Sequence, residues 1–141
     1  MSGFVYYKNV ITKNYANFEG RARRSEFWYF ALFNAIIALA LNIVGGMIGA
    51  LLIESMGPSA MFLGLAPLMI YALAVLVPGL AVAVRRLHDT GKSGFTILLA
   101  FIPLVGGIIL IVFYATEGIS GPNQYGPDPK TTQEEIIDSL V

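Results

Sequence analysis

Three stretches of the chain carry no charged side chain: Phe27–Ile53 with 27 residues, Ser55–Val84 with 30 and Ser93–Thr116 with 24. Each exceeds the roughly 20 apolar residues that carry a helix across a hydrocarbon core about 30 Å thick. In lipid every backbone polar group has to be satisfied within the protein, so such stretches become helices. The pattern predicts an all-α integral membrane protein, a small bundle of three transmembrane helices. The spans are expected at about 27–53, 60–84 and 93–116, the second opening after the turn signal Gly57-Pro58-Ser59.

Composition supports this and removes other classes. Hydrophobic residues make up 56% of the 141 and charged ones 13%, where soluble domains hold about 25% charged residues. The absence of cysteine excludes disulfides, thiolate metal sites and cysteine nucleophiles. Nine basic residues balance nine acidic ones, and with no long basic run there is no footprint for nucleic acid. The first apolar stretch is much longer than the core of a cleavable signal peptide and is read as a retained span.

Orientation follows from the flanking basic residues. Lys8, Lys13, Arg21, Arg23 and Arg24 precede the first span, and Arg85, Arg86 and Lys92 lie between the second and third. The N-terminus is therefore expected in the cytoplasm, and three crossings put the C-terminus outside. A cytoplasmic C-terminus requires an even number of crossings, with the Pro103-Gly106-Gly107 segment re-entrant. Pro67 and Pro78 predict kinks in the second span and freed carbonyls that neighbouring helices must satisfy.

Ahead of the first span, Phe4, Tyr7, Ile11, Tyr15 and Phe18 recur at helical spacing. They predict an amphipathic helix in the membrane interface or one packed on the end of the bundle. Gly20 is its expected stop and Ser25 the expected N-cap of the next helix. Phe27, Trp28, Tyr29, Phe30 and Phe33 form an aromatic collar. Within the first span, Ala31, Ala35, Ala38, Asn42, Gly45 and Gly49 line up as a seam of small side chains for close helix packing.

Polar residues gather in three clusters. Arg21, Arg23, Arg24 and Glu26 stand where anionic lipid head groups lie, and Glu26 beside the bilayer needs a partner such as Arg85 or Arg86. Arg85, Arg86, His88, Asp89 and Lys92 form a short connection; Arg85 and Asp89 are spaced for one helix face, and Gly91 is placed to end that helix. His88 and Asp89 are candidate acid–base groups, but no nucleophile or metal set accompanies them, so lipid head-group or interhelical contacts are expected instead. Gly91-Lys92-Ser93 lacks the earlier glycine of a phosphate loop, Arg86 standing in its place. The third cluster, Glu117 to Pro129, is a chain of turns; in the three-span reading its Asn123, Tyr125 and Asp128 form a periplasmic-side turn motif. Residues 131–141 read as a short acidic tail, with Thr131 or Thr132 capping a helix through Ile136, Ile137 and Leu140.

Taken together, Gly20-Arg21-Ala22-Arg23-Arg24-Ser25-Glu26-Phe27-Trp28, Arg85-Arg86-Leu87-His88-Asp89-Thr90-Gly91-Lys92-Ser93-Gly94 and Asn123-Gln124-Tyr125-Gly126-Pro127-Asp128-Pro129 resemble the DUF805 family of YhaH-like bacterial inner-membrane proteins. The resemblance covers about residues 4 to 130, making residues 1–130 one membrane domain, and departs at Phe95, where many members have tryptophan. It implies a multi-pass protein of the bacterial inner membrane and supplies no catalytic, cofactor-binding or metal residue. The expected partners are membrane lipids with anionic head groups and a second copy or another membrane protein. The function expected is non-enzymatic, structural or lipid-contacting; a transport or channel subunit for an apolar or small solute is the alternative.

Overall fold

The computed structural model describes residues 1–132; the acidic helix expected through Ile136, Ile137 and Leu140 lies outside the described residues. Those described fold into four α-helices, α1 (Gly3–Thr12), α2 (Arg24–Met56), α3 (Ala60–Asp89) and α4 (Val105–Ala115). Two 3-10 segments, Gly57–Ser59 and Gly94–Phe101, separate the later ones.

Helices α2 and α3 form an antiparallel pair joined by the Gly57–Ser59 turn, where Gly57 takes φ 66°. At 1.5 Å per residue their 33 and 30 residues extend about 50 and 45 Å, well beyond a 30 Å hydrocarbon core. Close approach is possible because two glycines face each other: a Cβ on Gly45 would collide with the Gly64 carbonyl, and the reverse holds for Gly64. Of the small-residue seam expected on α2, only Gly45 and Gly49 are buried; Ala31 and Ala38 are half-buried, and Ala35 and Asn42 are exposed. The contact stripe is instead turned toward Phe30, Asn34, Ile37 and Leu41. Nearer the polar end the gap is filled by larger side chains, with Tyr7, Val10, Phe30 and Val82 forming a core against which Ile37 and Val75 pack.

Helix α1 docks on this pair. Its buried residues are Tyr6, Tyr7 and Val10, while Phe4, Tyr15 and Phe18 of the expected stripe are exposed. Stacking explains the choice: Tyr6 lies flat on Tyr29 with centroids 5.9 Å apart, and Tyr7 sits 5.8 Å from Phe30. A hydrogen-bonded chain ties the three helices together, Tyr7 Oη to Tyr71 Oη at 3.1 Å and Tyr71 Oη donating to Asn34 Oδ1. Helix α1 stops at Thr12, eight residues before Gly20. The N-cap of α2 is Arg23 and not Ser25, because the Ala22 N–H donates to the Arg85 carbonyl at 3.0 Å and holds the incoming chain extended up to that point.

Helix α3 continues through Pro67 and Pro78. Proline at 78 has no N–H for the carbonyl four residues earlier, and that carbonyl, of Ala74, accepts the Tyr15 hydroxyl at 2.6 Å.

The segment expected as a third span, 93–116, is not one helix. It runs eight residues as a 3-10 helix, turns at Ile102–Leu104 and returns as the 11-residue α4. Each limb is about 16 Å long. The limbs pack so closely that a Cβ on Gly106 would meet the Leu99 carbonyl, and both ends of the segment lie together, Lys92 Nζ sitting 4.5 Å over the Phe113 ring. Non-glycine Leu104 takes φ 65° at the tip, an uncommon conformation for a bulky side chain. The expected single helix over 93–116 is interrupted at Pro103, and Gly106 lets the chain double back.

Candidate functional site

The hairpin brings the third polar cluster to the same end of the bundle as the other two. Asn123, Tyr125 and Asp128 therefore lie at the same end of the bundle as the basic clusters, whereas the three-span reading sets them at the opposite end. Asparagine 123 donates from Nδ2 to the His88 carbonyl at 2.9 Å, and the Tyr125 ring lies parallel on the His88 imidazole with centroids 3.9 Å apart.

At the centre is Asp89, nearly buried. Arg21 Nε donates to its Oδ1 at 2.9 Å, and Arg86 Nη1 to its Oδ2. Both guanidiniums spend their remaining donors on backbone carbonyls. Arg21 reaches Ile119 and, at 2.6 Å, Gly121; Arg86 reaches Tyr114 at 3.0 Å, Ala22 at 3.3 Å and Thr116. The arginine fork suits this, since one planar group serves several acceptors at once. Gly118 lies so close that a Cβ there would overlap the Asp89 carboxylate, and the Ile119 N–H donates to the Asp89 carbonyl at 2.9 Å.

Beside this centre, Arg85 Nη1 donates to Glu26 Oε1 at 2.7 Å and Arg85 Nε to the Asn17 carbonyl at 3.1 Å. Arg85 thus turns to Glu26, and Asp89 takes Arg86 three residues before it in place of Arg85 four before. His88 Nδ1 donates to the Gly20 carbonyl at 3.1 Å. Gly91, φ 75°, ends α3 in the left-handed conformation.

Toward the surface, Arg24 meets Glu117 at 2.6 Å with both side chains half exposed, and Lys130 binds the same carboxylate. The Lys130 bond, with the nearby Arg24 charge, holds the Glu117 carboxyl below its ordinary value. Asp128 is lowered too, by accepting the backbone N–H groups of Lys130 at 3.0 Å and Gly121 at 2.9 Å. No trio of metal-ligating side chains gathers among the described residues.

The sequence does not reveal the contact of Gly118 with Asp89, the carbonyls of Tyr114, Thr116, Ile119 and Gly121, or the Tyr7 and Tyr71 hydroxyls; an interhelical hydrogen bond is expected of Asn34, and Tyr71 makes it. Carbonyl acceptors leave no trace in a sequence. Gly118 lies within the Gly/Pro-rich run, which is the one detectable signal.

Comparison with known proteins gives a family and two kinds of relative. The family described as a protein of unknown function (DUF805) matches residues 15–127. Inner membrane protein YhaI of Escherichia coli (strain K12) is 46% identical over 125 residues, 89% of this chain and 95% of that protein. Inner membrane protein YhaH of the same organism is 41% identical over 120 residues, 85% and 93% of the two chains. No solved structure matches.

Proposed function

Because the chain belongs to the DUF805 family, whose Escherichia coli relatives are inner membrane proteins, we propose that it is a non-catalytic inner-membrane protein that works by contact. It holds anionic lipid head groups and a second copy or another membrane protein. In this reading α2 and α3 are the two crossings, residues 93–116 are re-entrant, and both Met1 and Pro129 face the cytoplasm. The basic residues then stand on one side of the membrane, while the far end of the α2–α3 pair carries a single charge, Glu54 in the last turn of α2. That asymmetry is what the positive-inside rule requires.

One observation carries the non-catalytic reading. The groups best suited to acid–base work are engaged with the protein itself: both Asp89 oxygens hold arginines, and His88 is stacked on Tyr125 and bonded to Gly20. A general base needs reach to a substrate proton, and these side chains reach structural partners.

The test is lipid extraction from the full chain isolated in native membrane discs, with His88→Ala alongside. Anionic phospholipid is expected to be enriched over its share of the surrounding membrane, equally for both proteins. Lipid in bulk proportions overturns the reading.

Transport of an apolar solute is the second reading, favoured by the broken hairpin, since half-helices meeting at a turn build many transporter sites. Solute flux in vesicles carrying the purified chain supports it; vesicles no leakier than protein-free ones exclude it.

A further inference from the structure

An open groove of about 380 Å³ runs between the first turns of α2 and the end of α4, lined by Arg24, Ser25, Trp28, Tyr29, Leu32 and Ala115. From Arg24 to Leu32 it follows α2 for about 12 Å, and its chemistry changes along that length. At the outer end stands the half-exposed Arg24 guanidinium. Its partner Glu117 is shared with Lys130, so among the described residues two cations face one carboxylate and give the mouth a net positive charge. The Ser25 hydroxyl is buried there with no hydrogen-bond partner among the described residues. Helix α2 begins at this point with no side-chain cap, which leaves first-turn N–H groups and the positive end of its dipole toward the mouth. Going inward, the wall becomes indole, phenol ring and leucine, with the Ala115 methyl opposite. Trp and Tyr are the residues that settle at the head-group level of a bilayer.

Positive at one end and apolar along the rest, the groove complements an amphiphile with a negative head. We propose that it seats one anionic glycerophospholipid, the phosphate on Arg24 and an acyl chain against Trp28 and Leu32. A free anion leaves the apolar wall uncovered, and a neutral lipid leaves the net charge of the mouth unanswered. The assignment rests on the contact reading above and narrows it to a single bound molecule.

The experiment is native mass spectrometry of the full chain in maltoside micelles, titrated with phosphatidylglycerol or phosphatidylcholine. The unaltered chain is expected to retain one phosphatidylglycerol and to prefer it to phosphatidylcholine. Arg24→Gln is expected to weaken retention about five-fold, the scale of one basic residue at a lipid surface. Ala115→Phe fills the groove without replacing a charged residue, keeping the backbone carbonyl that Arg24 reaches at 3.4 Å, and is expected to weaken retention as well. Lys8→Gln, the same charge change on an exposed residue outside the groove, is expected to leave retention unchanged, and melting curves check that all three variants fold.

If the anionic preference persists while Arg24→Gln and Ala115→Phe bind like the unaltered chain, the groove assignment falls and the contact reading stands. If the unaltered chain shows no preference for phosphatidylglycerol, both fall. Displacement of the lipid by inorganic phosphate alone overturns the lipid assignment in favour of a simple anion site. Binding that appears only after removal of residues 133–141 overturns it in favour of that segment as the native occupant.

Discussion

Arg21 and Asp89 meet at 2.9 Å from positions 68 residues apart, with side chains 1% and 5% exposed. Arg86 holds the other oxygen of the same carboxylate. One negative charge therefore sits between two desolvated positive ones, and the balance is restored by the carbonyl dipoles of Ala22, Tyr114, Thr116, Ile119 and Gly121. Removing a partner from a buried pair leaves an uncompensated charge, at a cost of about 3–5 kcal/mol. Asp89→Asn is expected to lower the melting temperature in detergent sharply and to expose residues 117–128 to protease. Full retention of that protection means the carbonyls alone hold the arginines.

The glycines of the helix pair supply an internal control. Gly45→Ala places a methyl into the Gly64 carbonyl, whereas a Cβ at the next residue, Gly46, meets nothing within 4 Å. Gly45→Ala is expected to destabilise by about 1–3 kcal/mol, the usual cost of overpacking. Gly46→Ala is expected to be neutral or to raise stability slightly through better helix propensity. Asn42→Leu, at an exposed position, is expected to leave the melting temperature unchanged. Thermal unfolding of the three variants side by side checks the packing stripe.

Acid is expected to loosen the third cluster. Glu117 and Asp128 both have folded-state values below their ordinary ones of 4.5 and 3.8. A depressed carboxyl contributes stability that is fully present above its unfolded value and is lost as pH falls through the folded one. Hydrogen exchange of the Gly121 and Lys130 amides, taken relative to the intrinsic rate at each pH, is expected to be slow near neutrality and to accelerate once pH drops below about 4. In Asp128→Asn that extra acceleration is expected to shrink. An unchanged profile in the variant removes Asp128 as its source.

Topology is testable directly because the chain has no cysteine. Single cysteines at Ser2, Ser55 and Ser120 are expected to divide two to one with a membrane-impermeant maleimide, Ser2 and Ser120 labelling from the cytoplasmic side and Ser55 from the other. Labelling of Ser2 and Ser120 from opposite sides restores three crossings.

Much of the scaffold is legible from uncharged stretches alone. The 33 and 30 residues of α2 and α3 enclose the expected spans 27–53 and 60–84, and α3 starts at Ala60 as the Gly57-Pro58-Ser59 turn requires. The Glu26–Arg85 contact follows from the cost of leaving a carboxylate unpaired beside lipid. The doubling back of the third segment is not legible because hydropathy counts apolar residues and is blind to direction. Whether 24 such residues cross or double back depends on Leu104 accepting φ 65° and on Gly106 allowing contact with Leu99. The Asn123 and Tyr125 placement then depends on the same turn. For α1, the period is visible but its phase is not: Tyr6, which stacks on Tyr29, lies off the Phe4–Tyr7–Ile11 stripe.

The long reach of Arg21 also orders events during synthesis. Its carbonyl acceptors in Ile119 and Gly121 lie 98 and 100 residues downstream, so the guanidinium has entered its final surroundings only after nearly the whole described chain has left the ribosome. Until then the guanidinium lacks these acceptors, and the segment that holds Ile119 and Gly121 supplies them. A chain cut short after α4 is expected to keep its apolar helices and to lose this closure of its polar end.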